Sequence, residues 1–218
     1  MKKIIMYALL AATISITACE KDRITGSGAV KTEERTLTGF TKVNTSGSTN
    51  VFITQGAAFN VTVKAYENLI PYLETKIVNG TLEIHYKEHT NVKNDNSEVF
   101  VTLPALTGMH ISGSANIETD GIFNGSTLEA SVSGSGNITF GAGAYDELNY
   151  SSSGSGNLKA FGVTSKHSDI SISGSGNAET TATQSLHVRI SGSGIVYCKG
   201  DPETVDTEVS GSGKVIKQ

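Results

Sequence analysis

An all-β, parallel β-solenoid is the fold class this sequence predicts, and three observations predict it. A Ser-Gly-Ser corner recurs at a nearly constant interval, short alternating apolar segments fill the intervals, and the chain holds 24 Gly, 3 Pro and no Trp. The corners are Ser112-Gly113-Ser114-Ala115-Asn116, Ser133-Gly134-Ser135-Gly136-Asn137, Ser153-Gly154-Ser155-Gly156-Asn157, Ser173-Gly174-Ser175-Gly176-Asn177, Ser191-Gly192-Ser193-Gly194 and Ser210-Gly211-Ser212-Gly213. Their first serines are separated by steps of 21, 20, 20, 18 and 19 residues. A period held near 20 marks stacked coils, β-helix-like, each too small to bury its own apolar face. A flexible Gly-Ser linker would show no apolar alternation between its glycines.

Within each period the residues repeat one grammar. An alternating segment such as Leu128-Glu129-Ala130-Ser131-Val132, Ile170-Ser171-Ile172 or Leu186-His187-Val188-Arg189-Ile190 precedes the corner. Alternation at period two is a half-buried strand. After the corner comes a second apolar piece, Asn137-Ile138-Thr139-Phe140, Asn157-Leu158-Lys159-Ala160 or Ile195-Val196-Tyr197-Cys198, closed by Gly141, Gly162 or Gly200. Each repeat is therefore expected to make two short strands and two corners, with the next coil stacked about 4.8 Å further on. Asn50, Asn116, Asn137, Asn157 and Asn177 hold the same place after their corners, so they are expected to form a structural ladder of side-chain amides along the axis. Ile195 and Lys214 end that column, and a charge suits a terminal coil.

Residues 111–218 thus form the repeat solenoid, and residues 36–110 read differently. Strands are predicted at Lys42-Val43-Asn44, Asn50 to Ile53, Phe59 to Val63, Thr81 to Tyr86 and Val99 to Leu103, with a hairpin turn at Asn79-Gly80. Asn68 is expected to cap one short helix running through Thr75, with Leu69, Ile70 and Leu73 on its apolar side. His89 to Ser97 is polar enough to be an exposed loop. This β-rich part is expected to cover one open end of the solenoid.

The amino end carries a targeting signal rather than structure. Met1-Lys2-Lys3 supplies the positive region, and Ile4 to Ile16 an apolar stretch too short to span a bilayer. It closes in Ile16-Thr17-Ala18-Cys19, an order that resembles the lipobox of bacterial lipoproteins. Residues 1–18 are read as a lipoprotein signal peptide, Cys19 as the lipid attachment site, and residues 19–35 as a tether. The membrane is then a partner through the lipid alone. The localisation expected is the cell envelope, at the outer membrane and surface exposed.

Charge and cysteine usage narrow the classes further. The chain's formal charge of −4 becomes more negative once Lys2 and Lys3 leave with the signal, and no Lys/Arg run offers phosphate neutralisation, so nucleic acid is not an expected partner. Cys198 is the only cysteine besides Cys19, and it is read as a small buried hydrophobe.

One run of motifs resembles a known family. The Gly47-Ser48 corner, the Phe59–Val63 strand, Glu67-Asn68-Leu69, Asn79-Gly80-Thr81-Leu82-Glu83-Ile84, Val101-Thr102-Leu103-Pro104 and the Ser-Gly-Ser-Gly-Asn repeats are similar to the auto-transporter adhesin, head GIN domain family, over about residues 38–200. The resemblance implies a β-solenoid related in shape to pectin-lyase-like proteins, no assigned catalytic site, and a role in cell adhesion. The sequence departs from the auto-transporter theme in showing no heptad stalk and no carboxyl-terminal barrel pattern, so adhesion would work from Cys19.

Motifs that carry chemistry do not stand out. The sequence shows no Gly-x-Ser-x-Gly elbow, Gly-x-Gly-x-x-Gly phosphate loop or paired-Cys zinc motif, and no catalytic, metal or cofactor-binding residue is assigned. His85 and His89 are four apart, but strand geometry would separate them by about 13 Å. Asp146, Glu147, Asp169, Asp206 and Glu208 are read as a solvated outer face, although β-helical polysaccharide enzymes use such carboxylates. Tyr145, Tyr150 and Tyr197 are weighed as sugar-stacking surfaces against core or rim positions. The expected function is a non-enzymatic surface or adhesion lipoprotein whose ligand is a host or cell-surface protein or a glycan. The alternatives are a carbohydrate-binding module and a cryptic polysaccharide-active enzyme.

Overall fold

The structure, a computed structural model, describes residues 22–218. The signal segment and Cys19 lie outside the described residues. The strands are β1 (Asp22–Thr25), β2 (Val30–Arg35), β3 (Lys42–Gly47), β4 (Asn50–Gln55), β5 (Asn60–Tyr66), β6 (Leu73–Val78), β7 (Thr81–Tyr86), β8 (Thr90–Lys93), β9 (Glu98–Leu103), β10 (Gly108–Gly113), β11 (Asn116–Asp120), β12 (Ile122–Gly134), β13 (Asn137–Thr139), β14 (Ala142–Gly154), β15 (Asn157–Gly174), β16 (Asn177–Gly192), β17 (Ile195–Lys199), β18 (Thr204–Gly211) and β19 (Lys214–Lys217). They form an all-β solenoid of about six turns with about 20 residues per turn.

Stacking is parallel and in register. Ser133 lies beside Ser153, Ser153 beside Ser173, Ser173 beside Ser191 and Ser191 beside Ser210, each one coil further along. The corner glycines allow this closeness. Gly174 has φ +136°, and a Cβ there would overlap the carbonyl oxygen of Gly154. That same carbonyl accepts the Ser175 amide at 2.8 Å, and past the corner the Asn177 amide donates to the Asn157 side-chain oxygen at 2.9 Å, so coil-to-coil bonding continues through the corner by a side chain.

Inside, one apolar core runs the length of the rod. Val43, Met109, Ala130, Tyr150, Ile170 and Val188 stack in one inward column, all buried, with the small Ala130 set against the large Tyr150. Burying a large apolar side chain contributes about 1.5–3 kcal/mol, and each coil adds several. Cys198 is buried as one of these.

Three differences from the sequence reading have physical causes. Each central coil has three inward runs, not two: Asp146 and Glu147 are both exposed between buried Tyr145 and Leu148, as are Lys166 and His167 between Ser165 and Ser168. Such a slip in alternation is a bend: the ladder skips Asp146 and Lys166 and resumes at Glu147 and His167, with a register shift between Ser165 and His167 against the next coil. The helix predicted from Asn68 is only a 3-10 turn at Ile70–Tyr72, with Pro71 in its first turn and Leu73 already extended at ψ 109°. Asn68 caps nothing there, but receives the Ser27 amide at 2.9 Å and donates to the Thr25 carbonyl at 2.8 Å. Residues 22–25 and 30–35, read as tether, are strands: β1 lies parallel to β8 and β2 antiparallel to β5. Nearly every side chain of β2 is exposed, so no alternation marks it in sequence.

Spatial order also departs from chain order. β3 lies between β7 and β10, and β4 between β9 and β11. The strands beyond them run antiparallel, β6 on β7 and β5 on β9, and cover that end of the solenoid. The Asn79-Gly80 turn joins β6 to β7, both residues at positive φ.

Candidate functional site

One continuous surface is the outer face of the sheet formed by β7, β3, β10 and the pre-corner halves of β12, β14, β15, β16 and β18. Side chains two residues before each corner serine, Asn44, His110, Ser131, Ser151, Ser171, Arg189 and Glu208, form one column across it, continued past Asn44 by Glu83 of β7. Beside it run Lys42, Gly108, Glu129, Asn149, Asp169, His187 and Asp206, and on the other side the corner serines themselves. Strand geometry spaces these side chains about 4.8 Å along the rod and about 6.8 Å along each strand.

Most charges on this face satisfy one another. Lys42 Nζ binds Glu129 Oε2 at 2.6 Å, Arg189 lies 3.4 Å from Glu208 and 3.9 Å from Asp169, and His187 Nδ1 lies 2.9 Å from Asp206. Lys42 holds the Glu129 carboxyl below the usual carboxylate range through that bond. His110 Nδ1 bonds Ser131 Oγ at 2.7 Å, and partial burial lowers its pKa, with Lys42 adding to the effect against Glu129 and Glu83. Ser131, Asn149, Ser151 and Ser171 lie between the paired ends as a neutral patch. They line a shallow groove of about 420 Å³ with His110, Glu129 and Asp169. Hydroxyls, an amide and carboxylates at fixed spacing can hydrogen-bond a polar polymer laid along the rod.

The residues singled out from sequence fall into four places. Asn50, Asn116, Asn137, Asn157 and Asn177 form one half-buried column on the side after the corners. Each Nδ2 donates to the preceding Oδ1, from Asn116 to Asn50 at 3.2 Å, Asn137 to Asn116 at 2.9 Å, Asn157 to Asn137 at 2.7 Å and Asn177 to Asn157 at 3.2 Å. Asp169, Asp206 and Glu208 lie on the groove face. Asp146 and Glu147 lie at a different bend, where Asp146 binds Lys166 at 2.6 Å. Tyr145 and Tyr150 are no stacking surface. Both are buried, their hydroxyls donating to the carbonyls of Leu106 at 2.7 Å and Gly156 at 3.3 Å, and burial pushes the Tyr150 pKa up to about 12.

His85 lies in β7 and bonds the Tyr86 carbonyl at 2.9 Å, while His89 sits at φ 64° in the turn before β8. No group of three His, Cys, Asp or Glu able to hold a metal occurs among the described residues. Sequence reasoning missed Lys42, Asn44, His110, Glu129 and Arg189 as members of one face. The signal that finds them is a constant offset of two or four residues before the corner serine.

The family model described as "Putative auto-transporter adhesin, head GIN domain" matches residues 39–202. The chain belongs to this adhesin family. The match takes in β3 to β17, hence most of the groove face and the amide column. No curated protein matches the chain. Among solved structures, a "putative adhesin" from Bacteroides fragilis is similar at 18% identity and TM-score 0.73, over 89% of this chain and 100% of its own. A second "putative adhesin", from Parabacteroides merdae, is similar at 24% identity and TM-score 0.57, over 90% of this chain and 99% of its own. A Parabacteroides distasonis protein described as a "putative lipid binding protein" is similar at 26% identity and TM-score 0.55, over 90% and 100%.

Proposed function

We propose that this adhesin-family protein is a non-enzymatic lipoprotein of the cell envelope that adheres through the groove face of its long parallel sheet. The observation that carries the reading is the neutral patch of Ser131, Asn149, Ser151 and Ser171, held flat by the ladder and flanked by charges already paired. A rigid, preformed polar surface loses little conformational entropy when it binds.

Anchoring at Cys19 agrees with the placement of β1. That strand starts at Asp22 and is fixed to β8 in the cap, so a lipid three residues earlier would set the cap beside the membrane. The stacked coils would then extend outward, over about 25–30 Å. We read the membrane in question as the outer membrane.

Cells displaying the chain should bind members of a panel of matrix proteins and glycans, and Asn149→Arg with Ser151→Arg should abolish binding while leaving the melting temperature unchanged. Unchanged binding by that variant overturns the face assignment. A second reading, a carbohydrate-binding module, is favoured by the groove's mixture of hydroxyls and carboxylates, and predicts binding confined to glycans. Turnover of an acidic polysaccharide that Asp169→Ala removes would replace both with an enzyme.

A further inference from the structure

The two ends of the solenoid are not alike. At the cap, β7 and β9 are paired on their outer edges with antiparallel β6 and β5. At the other end β18 lies on β16 and β19 on β17, and among the described residues no strand lies beyond them. Every residue of β18 is exposed. Its Val205 and Val209 continue the inward columns above Leu186 and Ile190, yet remain 55% and 42% exposed. With Val215 they border an apolar groove of about 580 Å³ that reaches down to Leu186 and Cys198. An unpaired strand edge over uncovered core is the feature that folded proteins ordinarily cover or blunt.

The charges on this edge are sorted by strand. Asp206 and Glu208 belong to β18, with Glu203 just before it, whereas Lys214 and Lys217 belong to β19. Within the chain Asp206 meets the partly buried His187 at 2.9 Å, while Glu208 with Arg189 at 3.4 Å and Lys217 with Asp201 at 2.6 Å are exposed and thus weak pairs. Laying β18 on another β18 would oppose carboxylates, and β19 on β19 would oppose ammonium groups. Only β18 against β19 brings opposite signs together.

We propose that this open end docks a second copy of the chain, tail to tail. A two-fold axis crossing the corner at Gly211-Ser212-Gly213, perpendicular to the rod, sets β18 of each copy antiparallel to β19 of the other. The operation covers both apolar ends, supplies both edges with backbone partners and meets acid with base twice. The contact is isologous and closes at two copies, because the capped end offers no parallel edge for a filament to grow on. The open end shares β18, with Asp206 and Glu208, with the margin of the groove face but none of the neutral patch of Ser131, Asn149, Ser151 and Ser171, so mass reads the dimer and binding by Asn149→Arg with Ser151→Arg reads adhesion separately.

The test uses the full chain carrying Cys19→Ser, so that lipid does not drive association, and follows mass by sedimentation equilibrium over a wide concentration range. The expected result is a monomer–dimer equilibrium with no larger species. Asp206→Lys with Glu208→Lys makes the charges of both edge strands basic, and Lys214→Glu with Lys217→Glu makes them acidic. Each variant alone should self-associate at least about tenfold more weakly, and an equimolar mixture of the two should recover a heterodimer. Ser212→Cys, at the axis, should link two copies by a disulfide under mild oxidation, whereas Ser135→Cys at a central corner should not. A wild-type chain that stays monomeric, open-ended oligomers, or charge variants that pair with themselves as well as with each other would overturn the proposal. Circular dichroism melts establish that the variants are folded before their mass is read.

Discussion

Asn157 Nδ2 donates to Asn137 Oδ1 at 2.7 Å, and Asn157 Oδ1 accepts both Nδ2 and the backbone amide of Asn177, at 3.2 and 2.9 Å. One side chain thus joins three consecutive coils. Asn157→Val removes all three bonds and leaves a half-buried amide on either side without its partner. Net hydrogen bonds contribute about 0.5–1.5 kcal/mol each, so a loss of about 2–3 kcal/mol is expected in urea denaturation. Asn149→Val, on the exposed face of the same coil, should change stability by no more than about 0.5 kcal/mol. Equal effects at 149 and 157 would sink the amide column as a source of stability.

The repeat glycines make a second, sharper test. A Cβ at Gly174 would overlap the Gly154 carbonyl oxygen and face a left-handed φ as well, whereas Gly39 has φ +80° with nothing within 4 Å. Gly39→Ala should therefore show only the conformational penalty of about 1–2 kcal/mol. Gly174→Ala must also push two coils apart and should cost clearly more, at least about 3 kcal/mol. Thermal melts that rank the two variants the other way would refute close stacking at the corners.

What the sequence disclosed depended on whether the pattern was local. Alternation in Ile170-Ser171-Ile172 and the period of the corners are local, and both appear in the fold as read. The insertion of β3 between β7 and β10 is not local, since Asn44 meets Glu83 and His110 across separations that no short window covers. The third side of each coil was hidden because two exposed residues, Asp146 and Glu147, interrupt the alternation and look like a loop. The same holds for the groove face. His110, Ser131 and Arg189 share no residue type, only an offset from the corner, so a search for catalytic or metal motifs passes over them.

The amino-terminal reading predicts a covalent change. Cys19→Ala should release the chain from membranes or stop its processing, because the order Ile16-Thr17-Ala18-Cys19 resembles a lipobox only while the cysteine is present. Mass spectrometry of the exported protein checks this. An unmodified mature terminus at any other residue rules out lipid attachment there.

His110 makes acid sensitivity the last expectation. The groups facing it are Ser131 through a 2.7 Å bond and the charges of Glu129, Lys42 and Glu83. Burial is the largest influence and Lys42 adds to it, so the folded pKa lies below the ordinary histidine value of about 6.5. Between the folded value and 6.5 the unfolded chain binds a proton that the folded chain refuses, and stability there rises with pH. The contribution is complete above about pH 6.5 and is lost as pH falls through the folded pKa. Glu129 acts in a separate window, because Lys42 depresses its pKa and the stability it brings is lost only as pH falls below the usual carboxylate range. Urea denaturation between about pH 7 and about pH 5.5 therefore isolates the imidazole. The wild type should lose stability over that range more steeply than His110→Asn, and the other histidines, present in both chains, cancel in the difference. Parallel slopes would show that His110 takes up its proton in the fold as readily as in water, and that its place beside Ser131 is not desolvated.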